Sequence, residues 1–279
     1  MSRGSTLSDT PPLTDAEVSA AIEHLDTEGY CLLKNRIPRE VALSIADEML
    51  AQHEIAHPAA ENEATFQLIL GLFNTDERTW QYMPAHPDCV KVAGHVLGHG
   101  QVRAIEGISG RSLPGCGLGG LHKDCAQDFQ TLPECCWGVN GIWMLTDFTP
   151  ESGALLVPGS HRSEGNPSAD SLGGIDRDAP YLTEFHAVGT AGSVLLYDGR
   201  MWHAVPPNRS DADRVALIVR FAPWWLNLEP TRPGSPEHTA MVIETDGKNY
   251  NQPEVTPEAY AALPENVKPL YRHWVAGGK

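Results

Sequence analysis

The sequence predicts a mainly β fold, built as an antiparallel barrel or sandwich with helices packed outside it. From about residue 101 the chain alternates short runs rich in β-branched and aromatic residues with Gly, Pro, Asn and Asp. This is the pattern of many short strands joined by turns. The first hundred residues instead carry apolar residues at helical spacing. No clean linker separates the two parts, so we expect helices and strands to share one domain.

The N-terminal part predicts three helices and one strand. Thr14 and Glu17 form a capping-box pattern ahead of an apolar periodicity that predicts a helix ending at Thr27. The run "GYCLLKN" predicts a short strand, and Pro38 begins a second helix. The run "HPDCVKVAGHVLG" predicts a short helix that ends at Gly98. Between them, "ENEATFQLILGLFNTDERTWQYMPAHP" has a mixed pattern and predicts irregular structure.

The β-rich part predicts strands within five runs: "QVRAIEGISG", "WGVNGIWMLTDF", "GALLVPGSH", "GSVLLYDGRMWHAV" and "RVALIVRFA". The polar, Gly-rich segment Ser163–Pro180 is long for a loop in a compact domain, so it is either a functional lid or a mobile insertion. We therefore expect a single domain over 1–279. Its parts would be a helical support at about 13–100, a β core at about 101–225 and a C-terminal extension at 226–279.

The composition limits the class of protein and its partners. Of 279 residues 41% are hydrophobic, which is enough for a substantial core, and the net charge is −16. That charge opposes binding to nucleic acids and to anionic membranes. The sequence has no apolar signal region and no membrane-length apolar run, and its six cysteines include no CxxC pair. We therefore expect a cytoplasmic protein with reduced thiols.

The stretch "GLGGLHKDCAQDF" places His122 and Asp124 two positions apart. At the end of a strand, that spacing directs both side chains to one face. The pair either binds a metal ion or belongs to an ordinary polar turn, and in a chain with 12 histidines the pattern alone is weak. As ligands, the two residues would suit Fe(II), Mn(II) or Zn(II).

A third ligand would have to come from a distant part of the chain. His203 follows an apolar strand and the turn "YDGR" in "AGSVLLYDGRMWHAVPPNRS". Two histidines and one carboxylate form a facial triad with open coordination positions, which is typical of non-haem iron oxygenases. A hydrolytic zinc site would use the same ligands.

Two arginines on one predicted strand are alternative candidates for binding the carboxylate of a cosubstrate. Arg214 lies eleven residues after His203 at the start of "RVALIVRFA". An arginine there is either a solvated strand end or the bidentate partner of a cosubstrate carboxylate. Arg220 shares its strand parity but lies about 20 Å further along an extended chain, so we expect that the two cannot reach the same ligand.

These motifs, taken in order, resemble the phytanoyl-CoA dioxygenase family of Fe(II)/2-oxoglutarate oxygenases. The residues that carry the resemblance are "LHKD", "ESGALLVPGSHR", "AGSVLLYDGRMWHAVPPNRS" and Arg214. The opening runs "DTEGYCLLKNRIP" and "AHPDCVKVAGHVLG" also resemble that family, so the similarity covers most of the chain. The resemblance implies a double-stranded β-helix core, also called a jelly roll or cupin-like barrel, with helices on its larger sheet.

The resemblance also implies roles for individual residues. It implies that His122, Asp124 and His203 hold iron and that Arg214 pairs with the C5 carboxylate of 2-oxoglutarate. Thr146 stands seven residues before Gly153, where some members have a threonine that contacts the cosubstrate. The alternative for Thr146 is a core-strand hydroxyl bonded to the backbone.

The resemblance implies a dioxygenase that uses Fe(II), 2-oxoglutarate and O₂ and releases succinate and CO₂. Its reaction would be hydroxylation, desaturation or ring formation on a small-molecule metabolite, for which we favour a natural-product intermediate. One alternative is a metal-dependent hydrolase or isomerase on a cupin-like barrel. Another is a β-barrel that binds without catalysis. The oligomeric state does not follow from the sequence.

Overall fold

Two antiparallel sheets form the β-rich part of the protein in the computed structural model. The structure describes residues 10–57, 66–75, 79–98, 102–104, 107–124, 135–163, 167, 180–226, 234–244 and 253–277. The strands in these ranges are β1 (Tyr30–Leu33), β2 (Gln67–Ile69), β3 (Val102–Ala104), β4 (Ile108–Ser112), β5 (Leu118–His122), β6 (Val139–Met144), β7 (Leu155–Leu156), β8 (Phe185–His186), β9 (Val194–Asp198), β10 (His203–Val205) and β11 (Arg214–Pro223).

The larger sheet has seven strands in the order β1-β9-β6-β11-β4-β2, with β3 also paired to β11. The smaller sheet has four strands in the order β5-β10-β7-β8. Every pair within the two sheets is antiparallel. The prediction of a mainly β, antiparallel fold with flanking helices is confirmed.

In the described ranges three α-helices alternate with the first three strands along the chain, and three more follow the last strand. The α-helices of the described ranges are α1 (Asp15–Glu28), α2 (Arg39–Ala56), α3 (Pro87–Val96), α4 (Pro236–His238), α5 (Pro257–Ala262) and α6 (Lys268–Tyr271). Short 3-10 helices cover Leu72–Asn74, Thr79–Ala85, Ser160–Arg162 and Arg272–Trp274, and a π-helical turn covers Thr239–Ile243. No helix in these described ranges is long and apolar enough to cross a membrane.

The capping box predicted for the first helix is present. The Thr14 side chain accepts a hydrogen bond from the Glu17 N–H, and the Thr14 N–H donates to the Glu17 carboxylate at 2.8 Å. The helix ends at Gly29, whose φ of +88° is a left-handed conformation that favours glycine. A Cβ there would lie 2.6 Å from Nδ1 of His161, so this end of α1 is closely packed.

Side-chain alternation in the larger sheet separates two cores. On β11 the odd positions, such as Val215 and Leu217, pack with α1, α2 and α3 in the main hydrophobic core. The even position Ala216 packs on the other side, in a second cluster that includes Leu156 of the smaller sheet. The same alternation places Tyr197 of β9 in the second cluster. Even positions of β11 therefore face the space between the sheets.

The main core draws on all three predicted parts of the chain. It contains Val18 of α1, Leu217 of β11 and Trp274 near the C-terminus. Strands β1 and β2, which come from the predicted helical support, are members of the larger sheet. This shared core supports a single domain over 1–279, which remains our proposal.

Besides β5, which the sequence suggested only as a possible strand ending at His122, two strands were not predicted. The mixed stretch taken as irregular contains β2, and β8 lies in a run without a strand pattern. Both are edge strands, on β4 and β7 respectively. Both strands form because a neighbouring strand offers backbone hydrogen-bond partners. Their own few residues show no polar–apolar alternation that would predict a strand. The predicted lid or insertion, Ser163–Pro180, lies almost entirely outside the described residues.

Candidate metal centre

The smaller sheet brings two distant histidines together. In the β5–β10 pairing His203 is the direct partner of His122, and their ring centroids are 4.3 Å apart. Asp124 lies just beyond the end of β5, where its backbone N–H donates to the Gly199 carbonyl at 2.9 Å. That bond anchors the carboxylate beside the turn that leads to His203.

The three predicted ligands converge. One ligand atom from each of His122, Asp124 and His203 can be chosen so that all lie within 4.8 Å of one another. Nε2 of His203 is 3.3 Å from Oδ2 of Asp124, and Nε2 of His122 is 3.7 Å from Oδ1. This is the only such group of three among the residues that the structure describes.

Backbone carbonyls orient both imidazoles. Nδ1 of His122 is 3.2 Å from the Gly120 carbonyl oxygen, and Nδ1 of His203 is 2.9 Å from that of Met201. A carbonyl only accepts hydrogen bonds, so each Nδ1 carries a hydrogen, and in the neutral form of each ring Nε2 has the free lone pair that faces the centre. Both rings therefore have the tautomer that a metal ligand needs.

The centre favours a neutral His122 and an ionised Asp124. Burial, assisted by His203, lowers the pKa of His122 to about 4. Burial would lower the pKa of His203 too, but the adjacent Asp124 outweighs it and the pKa is raised. For Asp124 burial acts to raise the pKa, but His203 and the Arg220 guanidinium hold it well below its usual range.

Three further side chains contact Asp124, and the sequence reasoning missed all of them in this role. Nη2 of Arg220 lies 3.1 Å from Oδ2, the Asn140 amide donates to the same oxygen, and the Tyr197 hydroxyl is 3.5 Å away. Arg220 was considered only as a rival of Arg214 for a cosubstrate. Strand parity was the available signal, because Arg220 faces the same side of β11 as Arg214.

Arg214 is buried, with 4% of its surface exposed. Its Nη1 donates to the Ser152 carbonyl at 3.0 Å, and its guanidinium carbon lies 4.9 Å from the ring centroid of Phe148. Nε has no hydrogen-bond partner, and no carboxylate in the described part of the chain forms an ion pair with it. Burial lowers the pKa of this arginine to about 10, so the cation is held without a counter-charge.

A sequence model of the family named Phytanoyl-CoA dioxygenase (PhyH) matches residues 25–216. The chain belongs to the phytanoyl-CoA dioxygenase family. The matched range contains His122, Asp124, His203 and Arg214, and the resemblance inferred from those residues is confirmed.

Curated proteins that this chain resembles include two that are named dioxygenases. The chain is 29% identical to Dioxygenase af480 of Aspergillus fumigatus over 213 residues, which cover 71% of the chain and 65% of the relative. It is 32% identical to Dioxygenase FUM3 of Gibberella moniliformis over 96 residues, 34% of the chain and 29% of the relative. The chain thus spans less than two thirds of the length of either relative.

Solved structures with a similar fold include HygX and SnoK. HygX from Streptomyces hygroscopicus, solved with nickel and 2-oxoglutarate bound, is 18% identical with a TM-score of 0.60 over 78% of this chain and 90% of HygX. SnoK, a non-haem α-ketoglutarate-dependent carbocyclase from nogalamycin biosynthesis, is 19% identical with a TM-score of 0.59 over 77% of this chain and 87% of SnoK. At these identities the likeness shows a shared fold.

Thr146 is hydrogen-bonded to the backbone of Val215, the residue that follows Arg214 in the chain. Its hydroxyl oxygen accepts a hydrogen bond from the Val215 N–H at 2.9 Å, and its own N–H donates to the Val215 carbonyl at 3.3 Å. The backbone-bonded hydroxyl considered as the alternative is therefore present. A hydroxyl that accepts through its oxygen can still donate its hydrogen, so contact with a cosubstrate remains a prediction.

Proposed function

We propose that this protein is an Fe(II)- and 2-oxoglutarate-dependent dioxygenase that oxidises a small-molecule metabolite and releases succinate and CO₂. The observation that carries the proposal is the convergence of His122, Asp124 and His203 on one point between the sheets. Family membership supports the same reaction class. The proposed core is the double-stranded β-helix, supported by the two antiparallel sheets and by the fold shared with HygX.

The donor set fits Fe(II). Two neutral imidazole Nε2 atoms and one ionised carboxylate are ligands that suit a divalent iron, and three protein ligands leave positions open for a cosubstrate and O₂. His122 and His203 would each bind through Nε2, since Nδ1 is engaged with a carbonyl. Asp124 would supply the negative charge, because its pKa lies well below its usual range.

Arg214 fits the remote carboxylate of 2-oxoglutarate. A guanidinium that is desolvated and lacks an anionic partner carries a free-energy cost that a bound carboxylate would offset. The Nε without a partner is a donor available for that carboxylate. Arg214 would anchor one end of the cosubstrate, and the hydroxyl of Thr146, which accepts from the backbone N–H of the next residue Val215, would donate its hydrogen to the same ligand.

Iron, 2-oxoglutarate and O₂ together would supply the oxidising chemistry that removes hydrogen from a carbon of the substrate. The chain itself holds the metal, orients the cosubstrate through Arg214 and excludes water with the buried residues around both. Met144, Leu195 and Leu156, all fully buried, lie in the cluster between the sheets. Phe148 and Tyr197 of this cluster contact Arg214 and Asp124 respectively, so the apolar surrounding would strengthen the electrostatic contacts of both residues.

The proposed substrate is a small free metabolite, and we favour a natural-product intermediate. The net charge of −16 is unfavourable for the phosphates of an acyl-coenzyme A. SnoK, which shares the fold, belongs to nogalamycin biosynthesis. Hydroxylation, desaturation and ring formation are all compatible with the site.

The test measures succinate release by the purified protein with Fe(II), supplying or omitting 2-oxoglutarate and O₂, across a panel of natural-product intermediates. We expect substrate-stimulated succinate formation that requires both cosubstrates. Turnover in the absence of 2-oxoglutarate and O₂ would instead support the metal-dependent hydrolase or isomerase. Asp15→Ala is a suitable control variant, because Asp15 is 98% exposed on α1 and pairs only with Lys91 among the described residues.

A further inference from the structure

One carboxylate oxygen of Asp124 collects the hydrogen-bond donors of the site. Oδ2 is contacted by Nη2 of Arg220 at 3.1 Å and by the amide of Asn140, with Nε2 of His203 at 3.3 Å and the Tyr197 hydroxyl at 3.5 Å. Nε of Arg220 also donates to Oδ1 of Asn140 at 2.8 Å. Arg220, Asn140 and Oδ2 of Asp124 therefore form a closed ring of three polar contacts, which we call the Asp124 clamp.

The sheet itself fixes the clamp. Arg220 of β11 is the direct cross-strand partner of Asn140 on β6, and Asn140 is in turn the partner of Tyr197 on β9. The three residues lie side by side on adjacent central strands of the larger sheet. Asn140 is 1% exposed and Tyr197 is 5% exposed. Central strands with paired neighbours on both sides are rigid, so they suit the task of fixing a side chain that belongs to the other sheet.

We propose that Arg220 and Asn140 are positioning residues that hold Oδ2 of Asp124 and leave Oδ1 as the single metal-binding oxygen. This inference rests on the proposed function, since it concerns the same metal. A free carboxylate at the end of β5 could bind a metal through both oxygens and would then occupy an additional coordination position. An oxygen that already accepts a charge-assisted hydrogen bond and an amide hydrogen bond is a poorer metal ligand. The clamp thus keeps open the positions that a cosubstrate and O₂ need.

An alternative role for Arg220, as a simple counter-charge to Asp124, predicts a different result. If it were only a counter-charge, it would repel the bound cation and neutralise Asp124, so removing its charge would tighten metal binding. A lysine at the same position would then behave as wild type. If Arg220 instead orients Asp124, the lysine variant should also bind the metal more weakly than wild type. One ammonium group cannot replace the forked guanidinium that contacts both Asp124 and Asn140.

The experiment measures Co(II) affinity by titration calorimetry and the visible absorption of the Co(II) protein for wild type, Arg220→Gln, Arg220→Lys, Asn140→Ala and the double variant Arg220→Gln/Asn140→Ala. Arg39→Gln is the control, because Arg39 is half-exposed on α2 and pairs with Asp147 on the surface. Thermal unfolding of each metal-free variant separates a loss of positioning from a loss of folding.

We expect each single variant to bind Co(II) about tenfold or more weakly, the range known for partners of metal ligands. The double variant should lose less than the sum of the single losses, since both residues act on one oxygen. The Co(II) absorption should change in intensity as the carboxylate takes a second position. Arg39→Gln should match wild type. If Arg220→Gln fails to fold, Arg220→Lys and Asn140→Ala still decide the outcome.

Unchanged or tighter binding by Arg220→Gln with wild-type behaviour of Arg220→Lys would overturn the clamp in favour of a counter-charge. Unchanged Co(II) affinity and unchanged absorption in the Arg220 and Asn140 variants would also overturn it. The variant His122→Ala distinguishes a failure of this inference from a failure of the proposed function on which it rests. If wild type and His122→Ala bind Co(II) equally, the proposed metal centre itself fails. If only the clamp variants match wild type, the metal centre stands and the positioning role fails.

Discussion

His203 lies directly opposite His122 across the β5–β10 pair, although the two are 81 positions apart along the chain. This register turns a local H-x-D pattern into a three-residue centre, since Asp124 follows His122 by two positions and reaches Nε2 of His203 at 3.3 Å. The pairing of two short strands thus brings the three proposed metal ligands together.

Asp124→Ala tests the metal centre. The change removes the proposed charged ligand, so we expect divalent-metal affinity to fall by more than the roughly 10–100-fold that follows loss of an outer partner. Cosubstrate-dependent succinate formation should be lost. Titration calorimetry with Co(II) and a succinate assay measure the two effects, with Asp15→Ala as the surface control. Full turnover by Asp124→Ala would contradict the assignment of Asp124 as a metal ligand and would indicate an ordinary turn residue.

Arg214→Met tests the cosubstrate site. A buried carboxylate that loses its charged partner costs about 3–5 kcal/mol, so 2-oxoglutarate should bind the metal-loaded variant at least about 100-fold more weakly. Co(II) affinity should remain that of wild type, because Arg214 does not contact the metal ligands in the described contacts. Calorimetric titration of 2-oxoglutarate measures the effect. Normal 2-oxoglutarate affinity in Arg214→Met, with a loss only in Arg220→Gln at full metal occupancy, would reverse the two assignments.

Thr146→Val separates two roles of one hydroxyl. Val keeps the branched shape but removes the acceptor of the Val215 N–H, so the free energy of unfolding should fall by about 1 kcal/mol. If the hydroxyl also donates to the cosubstrate, 2-oxoglutarate affinity should fall by roughly tenfold, the equivalent of one hydrogen bond. Chemical denaturation and calorimetry give the two values. A stability loss with unchanged 2-oxoglutarate affinity would restrict Thr146 to its structural role.

The buried imidazole of His53 should make the stability of the fold sensitive to acid. Burial, with His57 and Arg111 nearby, lowers its pKa from 6.5 to about 4, and its Nε2 contacts the Ser109 hydroxyl at 2.9 Å. Below pH 6.5 the imidazole of His53 becomes protonated in the unfolded chain. In the folded chain it stays neutral until the pH approaches 4. Stability should therefore fall across this window as pH decreases, by up to about 3 kcal/mol from this residue.

Denaturant unfolding at several pH values between 6.5 and 4 measures this contribution. His53→Gln removes the titrating group, so the free energy of unfolding should depend less steeply on pH in that variant than in wild type. The comparison is made with metal-free protein, because His122 also has a pKa of about 4 and contributes to the slope of both proteins. Parallel slopes in wild type and His53→Gln would show that His53 is not the acid-sensitive residue.

The sequence by itself determined the features that depend on near neighbours. The capping box of Thr14 and Glu17 predicts the start of α1 because its hydrogen bonds join residues three apart. The ordered motifs around His122, Asp124, His203 and Arg214 were sufficient to assign the family, which the family match over 25–216 confirms.

Only the tertiary structure decided the partners that meet across strands. Arg220 and Asn140 are 80 positions apart, and their contact with Asp124 exists because β6 and β11 pair in one register and the smaller sheet lies against that face. The edge strands β2 and β8 likewise form because β4 and β7 offer them backbone groups. The physical reason is common to both cases: a strand's register and its partners are set by hydrogen bonds and side-chain packing between distant segments, and no periodicity within either segment encodes them.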